Sequence, residues 1–226
     1  MAFSHPQRVA VIGLGRFGTS LARSLASHGA EVIAIDRNQE LVDDIADDVA
    51  IAVQLDSTDE AALRSQEVDR VDCAVVSIGE NFEAALLTTV ICHRNLELPQ
   101  VICRAQTKFH AEIFAQIGAT EVIQPEQHAG EMLGRRLAHP RINDYIQLAD
   151  GFTILEMAAP DRFVGRTVRD ISLRAEYKVN LIAIRRSSTE SPDSQINVPG
   201  PDDVIHAEDL LLLAGDEDSL AGISDA

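Results

Sequence analysis

The chain reads as an α/β protein: a doubly wound parallel sheet followed by a small α+β domain. Three observations predict this. Short β-branched runs alternate with helical stretches up to about Ile123. A glycine-rich turn, Gly13-Leu14-Gly15-Arg16-Phe17-Gly18, joins the first such run to the first helix. After Gln124-Pro125-Glu126 the periodicity changes, and strand-like runs then dominate.

The elements follow in order. Strands are predicted at Val9–Ile12, Val32–Ile35, Ile51–Gln54, Val71–Ser77, Val101–Arg104 and Glu121–Ile123. Helices are predicted at Arg16–Ser27, Gln39–Ala46, Glu60–Ser65, Phe82–Asn95 and Phe109–Gln116. Near-continuous apolar strands separated by helices imply parallel strands covered on both faces. A further helix runs over Glu126–Ala138, with Leu133 and Leu137 at i, i+4 on one apolar side. His139-Pro140 should end it, because a residue before proline disfavours helix. Beyond it, strands are expected at Tyr145–Leu148, Phe152–Ala158, Val179–Arg185 and Asp209–Ala214. A short helix is expected at Val168–Ile171, and Ser187 to Gln195 reads as a polar loop. The domain boundary falls near residue 140, giving domains 1–140 and 141–226.

Composition narrows the function. The chain has 226 residues, 46% hydrophobic and 24% charged, an ordinary globular balance. Its formal net charge is −17, shared as −9 before Arg141 and −8 from there on. A pI near 4.6 opposes nucleic-acid binding and docking on anionic lipid, both of which need a basic face. No apolar run approaches the ~20 residues of a membrane helix, and Met1 to Arg8 lacks a signal-peptide core. Cys73, Cys92 and Cys103 are widely spaced in apolar runs and read as reduced core residues of a cytoplasmic protein.

The glycine turn carries the chemistry. It follows a strand and opens a helix, and Asp36 ends the next strand, which together make the dinucleotide-binding fingerprint of a Rossmann-like fold. Gly13 permits the tight turn, Gly15 lets backbone approach phosphate, and Gly18 lets helix and strand pack closely. The helix N-terminus offers amide donors to an anion. Asp36 can accept both ribose hydroxyls, which favours NAD over NADP. Arg16 is placed to pair with phosphate. The other strand ends, Asp56-Ser57-Thr58, Ile78-Gly79-Glu80-Asn81 and Arg104-Ala105-Gln106, should line the same crevice. Ser57, Thr58 or Asp59 serves equally well as a helix cap. His110 lies one turn into the helix after Arg104. The C-terminal part offers one histidine, His206, and no acid/base or nucleophile motif, so no catalytic residue is expected.

Val11 to Gly18, Asp36, Asp56-Ser57-Thr58, Ile78-Gly79-Glu80-Asn81 and Ile123-Gln124-Pro125-Glu126 together resemble the RCK family. Its members regulate potassium conductance, and these residues resemble the soluble gating subunits of Ktr/Trk-type uptake systems. Leu173-Arg174-Ala175-Glu176-Tyr177 and Val179 to Ile184 look like the smaller RCK-C domain. The resemblance implies ATP, ADP or NAD(H) as ligand. It also implies a homodimer built on the Glu126–Ala138 helix, an octameric ring, and a separate membrane potassium channel or transporter as partner. Carried over by position, Gly13, Gly15, Arg16, Phe17, Gly18, Asp36, Arg37, Asn38, Asp56, Ser57, Ile78, Gly79, Glu80, Arg104, Ala105, Gln106, His110 and Glu126 would line the nucleotide site. Arg16 would reach the terminal phosphate in a neighbouring subunit, and Glu126 would help hold a cation such as Mg²⁺. Some relatives bind cyclic di-AMP between C-terminal domains near the strand matching Val179–Ile184. Two other readings use the same crevice: a small NAD-dependent oxidoreductase, and a nucleotide sensor for another transporter.

Overall fold

A computed structural model describes residues 7–138, 142–149, 151–188 and 191–224. The chain divides into two units, 1–129 and 130–226. The expected helix stop at His139-Pro140 and the boundary near 140 lie outside the described residues. The division falls earlier, inside a helix.

The first unit is built from six parallel strands: β1 (Arg8–Ile12), β2 (Glu31–Asp36), β3 (Ile51–Gln54), β4 (Cys73–Val76), β5 (Val101–Arg104) and β6 (Glu121–Ile123). Their order is β3-β2-β1-β4-β5-β6. β1 therefore lies between β2 and β4, with Ile12 opposite both Ile35 and Val76. At that point the winding reverses, and a crevice opens beyond the strand ends.

Alternate residues of the central strands fill two cores. Ala10, Ile12, Ile33, Ile35, Ala74 and Val76 face one side with Leu63, Val68 and Phe114. Val9, Val11, Val32, Ala34, Cys73 and Val75 face the other with Ala22, Val42 and Ile45. Burial on both faces explains why these strands read as unbroken apolar runs. Each fully buried Val or Ile contributes about 1.5–3 kcal/mol.

The helices of this unit are α1 (Arg16–Ser27), α2 (Gln39–Ile45), α3 (Glu60–Ser65), α4 (Phe82–Val90) and α5 (Lys108–Ile117). α2 to α5 begin with side-chain caps from Asn38, Asp59, Asn81 and Thr107. The predicted helix to Asn95 changes character at Ile91, where a π-helical turn takes over and Leu96 N donates to Ile91 O at 2.9 Å. α6 (Pro125–Ala138) follows β6.

The second unit holds an antiparallel sheet, β7 (Ile142–Ala149), β8 (Phe152–Ala158), β9 (Asn180–Ser188), β10 (Ser191–Asn197) and β11 (Leu210–Asp216), ordered β10-β9-β11-β8-β7. β10 corrects the polar-loop expectation. It pairs with β9 as an edge strand, with Ile196 opposite Arg185. Pairing along β9 supplies the hydrogen bonds that its polar sequence does not advertise. Beyond the expected elements, the second unit also holds α8 (Leu173–Glu176) after α7 (Val168–Ile171), and α9 (Glu217–Ser224). Leu220 and Ile223 of α9 join the core of Leu155, Met157, Leu211 and Leu213. No helix among the described residues is long and apolar enough to cross a membrane.

Candidate nucleotide crevice

The crevice lies within the first unit and measures about 910 Å³. Its floor is the turn from β1 into α1. Gly13 has φ of +98°, a left-handed conformation that glycine adopts without strain, and a Cβ there would lie 2.9 Å from Ile78 N. Gly18 faces Gly13 O and Ser77 Oγ, so helix and strand touch backbone to backbone. Ser77 Oγ completes the contact by donating to Gly13 O at 2.5 Å. Gly15 caps α1 with no side-chain hydrogen bond, and the first turn of α1 has no acidic residue. Unlike α2 to α5, α1 therefore presents its N-terminal amides and positive dipole end without a side-chain cap.

Asp36 organises the adjoining wall. Its Oδ2 accepts from Leu14 N at 2.7 Å and its Oδ1 from Asn38 N at 2.8 Å. Each oxygen keeps a further lone pair for a ligand hydroxyl. Beside it, Asp56 Oδ1 accepts from Thr58 N at 2.9 Å and from Thr58 Oγ1 at 2.7 Å. The Thr58 hydroxyl bond, then the Thr58 amide bond, then the charge of Arg37 hold the Asp56 carboxyl below the usual aspartate value.

Arg104, at the end of β5, forms the opposite wall. Its Nη2 donates to Glu126 Oε1 at 2.5 Å. Its guanidinium lies 6.0 Å from the Phe17 ring centroid. The Arg104 bond, the Glu126 backbone amide and the charges of Arg104 and Arg16 keep the Glu126 carboxyl below the usual glutamate value.

Fifteen of the expected residues line this one crevice: Gly13, Gly15, Arg16, Phe17, Asp36, Arg37, Asn38, Asp56, Ser57, Ile78, Gly79, Glu80, Arg104, Gln106 and Glu126. Three do not. Gly18 is turned inward against Gly13. Ala105 is buried in the core. His110 stacks on Phe82, centroids 4.0 Å apart and planes 16° apart, so aromatic packing holds its ring there. Of the alternative caps, Asp59 caps α3, whereas Ser57 Oγ bonds Thr88 Oγ1 at 2.8 Å. Sequence reasoning missed Leu41, Leu55 and Leu87, which give the crevice an apolar wall suited to a base. Their apolar character reads as core in the sequence, and only the fold brings them to the crevice lining.

Among the described residues no three His, Cys, Asp or Glu side chains gather to hold a metal ion.

Comparison with known proteins extends the description. The family described as TrkA-N domain matches residues 9–125, and the TrkA-C domain matches residues 152–226. The chain is similar to Ktr system potassium uptake protein C of Bacillus subtilis, 34% identical over 206 residues, covering 91% of this chain and 90% of that one. It is also similar to Ktr system potassium uptake protein A of Bacillus subtilis, 32% identical, covering 92% and 91%. Among solved structures, the GsuK RCK domain shares the fold at a TM-score of 0.56 and 21% identity. That match covers 97% of this chain but 46% of the solved one, so this chain spans less than half its length.

Proposed function

The chain belongs to the family of TrkA-N/TrkA-C potassium uptake proteins, and on that premise we propose that it is the nucleotide-responsive gating subunit of a potassium channel or transporter. One observation carries the reading. The crevice joins an uncapped helix start over a glycine turn, a ribose-type carboxylate at Asp36, and three arginines, Arg16, Arg37 and Arg104. That set suits an adenine nucleotide: amides and guanidinium groups for phosphate, Asp36 for ribose, and the leucine wall for the base.

The role proposed is regulatory rather than enzymatic. A ligand that binds two conformations unequally shifts their populations by that difference in affinity. ATP, ADP and NAD(H) differ in how far phosphate extends from Asp36 towards Arg16 and Arg104. A neighbouring subunit's copy of Arg16 would sense the terminal phosphate. The exposed Met132, Leu133 and Leu137 of α6 support a dimer built on this helix, and we infer further assembly into an octameric ring. The protein would act in the cytoplasm, held at the membrane by its transport partner, with a cation such as Mg²⁺ joining Glu126 between subunits.

Native mass spectrometry and small-angle scattering with ATP and with ADP test this. The reading expects one large ring whose shape differs between the nucleotides. A monomer with no response to either would overturn it. Turnover of NADH by the purified protein would favour the oxidoreductase reading instead.

A further inference from the structure

We propose that Glu126 is a built-in anion that holds Arg104 until a ligand phosphate displaces it, so that filling the crevice frees the first turn of α6. This rests on the nucleotide reading and names how that same site is regulated.

Several observations from separate elements meet at Arg104. Its side chain is only 16% exposed, whereas that of Glu126 is 62% exposed. The cation is therefore mostly withdrawn from water, and its anion is not. The two share one bond, Nη2 to Oε1, at 2.5 Å. Arg104 Nε is buried and has no hydrogen-bond partner. A guanidinium is a planar fork of N–H donors, so a single carboxylate oxygen leaves much of that fork unused. A phosphate, with several acceptor oxygens, satisfies it better.

The surroundings give the guanidinium room on the ligand side. A Cβ on Gly79 would lie 2.5 Å from Arg104 Nη1, so the bare backbone at Gly79 leaves space for it. The Phe17 ring, in the glycine turn, has its centroid 6.0 Å from the guanidinium carbon. Arg104 thus lies between the phosphate turn and α6 and can bond an anion on either.

Glu126 lies in the first turn of α6, where His128 N donates to Gln124 O at 3.0 Å. The helix continues to Ala138, past the division of the chain after Ala129. An anion on Arg104 exchanges a bond between β5 and α6 for one between β5 and ligand. By linkage, the bond to Glu126 weakens ligand binding by the factor that ligand weakens the bond. A nucleoside without phosphate leaves the bond in place.

The test is a double-mutant cycle on the full chain, with ADP as probe and EDTA present to remove cations. Glu126→Gln should bind ADP about three- to tenfold tighter, because the competing charge is gone. Arg104→Gln should bind more weakly, and the gain from Glu126→Gln should vanish in the double variant. Hydrogen exchange at residues 125–129 should quicken when ADP binds the wild type, and adenosine should have no such effect. Arg104→Met, which keeps the length of the side chain and removes its charge, serves the same cycle where Arg104→Gln does not fold. Weaker or unchanged ADP binding by Glu126→Gln overturns the proposal, as does an equal gain in the Arg104→Gln background. If the wild type binds no ADP, the nucleotide reading falls with it. If it binds ADP and Glu126→Gln gives no gain, the proposal alone falls.

Discussion

Asp36 Oδ2 lies 2.7 Å from the backbone nitrogen of Leu14, so the carboxylate that ends β2 holds the turn that follows β1. Its other oxygen holds Asn38 N at 2.8 Å, at the start of α2. One side chain thus fixes two loops at the point where the sheet winding reverses. Replacing it, Asp36→Ala, should cost about 1–3 kcal/mol of stability by leaving backbone donors without their charged acceptor. The same variant should weaken ADP binding more than tenfold. Urea unfolding and calorimetric titration check the two effects, and a variant that keeps both values would contradict the role given to Asp36.

The glycine turn makes a sharper contrast. A Cβ at Gly18 would run into Gly13 O, which is backbone and cannot move aside cheaply. A Cβ at Gly15 meets nothing within 4 Å. Gly18→Ala should therefore destabilise by about 1–3 kcal/mol or more. Gly15→Ala should melt within a few degrees of wild type yet bind nucleotide poorly, because its methyl stands where phosphate approaches. Equal melting losses in both variants would sink this assignment of roles.

Much of this was legible beforehand, for identifiable reasons. Central strands such as Val9–Ile12 are buried on both faces and so write their burial directly into the sequence. Asp36 was legible because it stands at a fixed spacing from a glycine turn. β10 was not: its stability comes from pairing with β9, and an edge strand tolerates polar residues and Pro192. α9 was missed because only Leu220 and Ile223 mark its buried side. The same limit applied to the site. The position of His110 one turn into its helix places it towards the ligand in the sequence, but Phe82, distant in sequence, holds its ring in a stack. Nothing in the local sequence around Glu126 announces its bond to Arg104.

The thiols offer a separate check on the core. Burial pushes Cys92 up to about 12, and Cys73 and Cys103 up to about 11. All three stay protonated at neutral pH and are shielded, so the native protein should not react with a thiol reagent. In denaturant all three should react. Rapid labelling of any one of them in the native protein would contradict the packing described for the first unit.

The Arg104–Glu126 bond predicts a pH dependence. Glu126 keeps its charge to lower pH than free glutamate, chiefly because Arg104 hydrogen-bonds it. A carboxyl with a depressed folded-state pKa stabilises above its unfolded value and loses that contribution as pH falls through the folded one. The contribution of the bond is therefore present above the ordinary glutamate value and is lost only as pH falls through the lower value of the folded carboxyl. A carbon-detected titration of Glu126 should give a midpoint under the ordinary value, and Arg104→Gln should raise it. A midpoint that ignores Arg104→Gln would contradict the bond.

The central claim is that this crevice takes an adenine nucleotide, and direct calorimetric titration of the purified protein with ATP, ADP and NADH tests it. The account predicts saturable binding of at least one of them, weakened more than tenfold in Asp36→Ala, with the bound nucleotide recovered unchanged. Equal absence of binding for all three would contradict it.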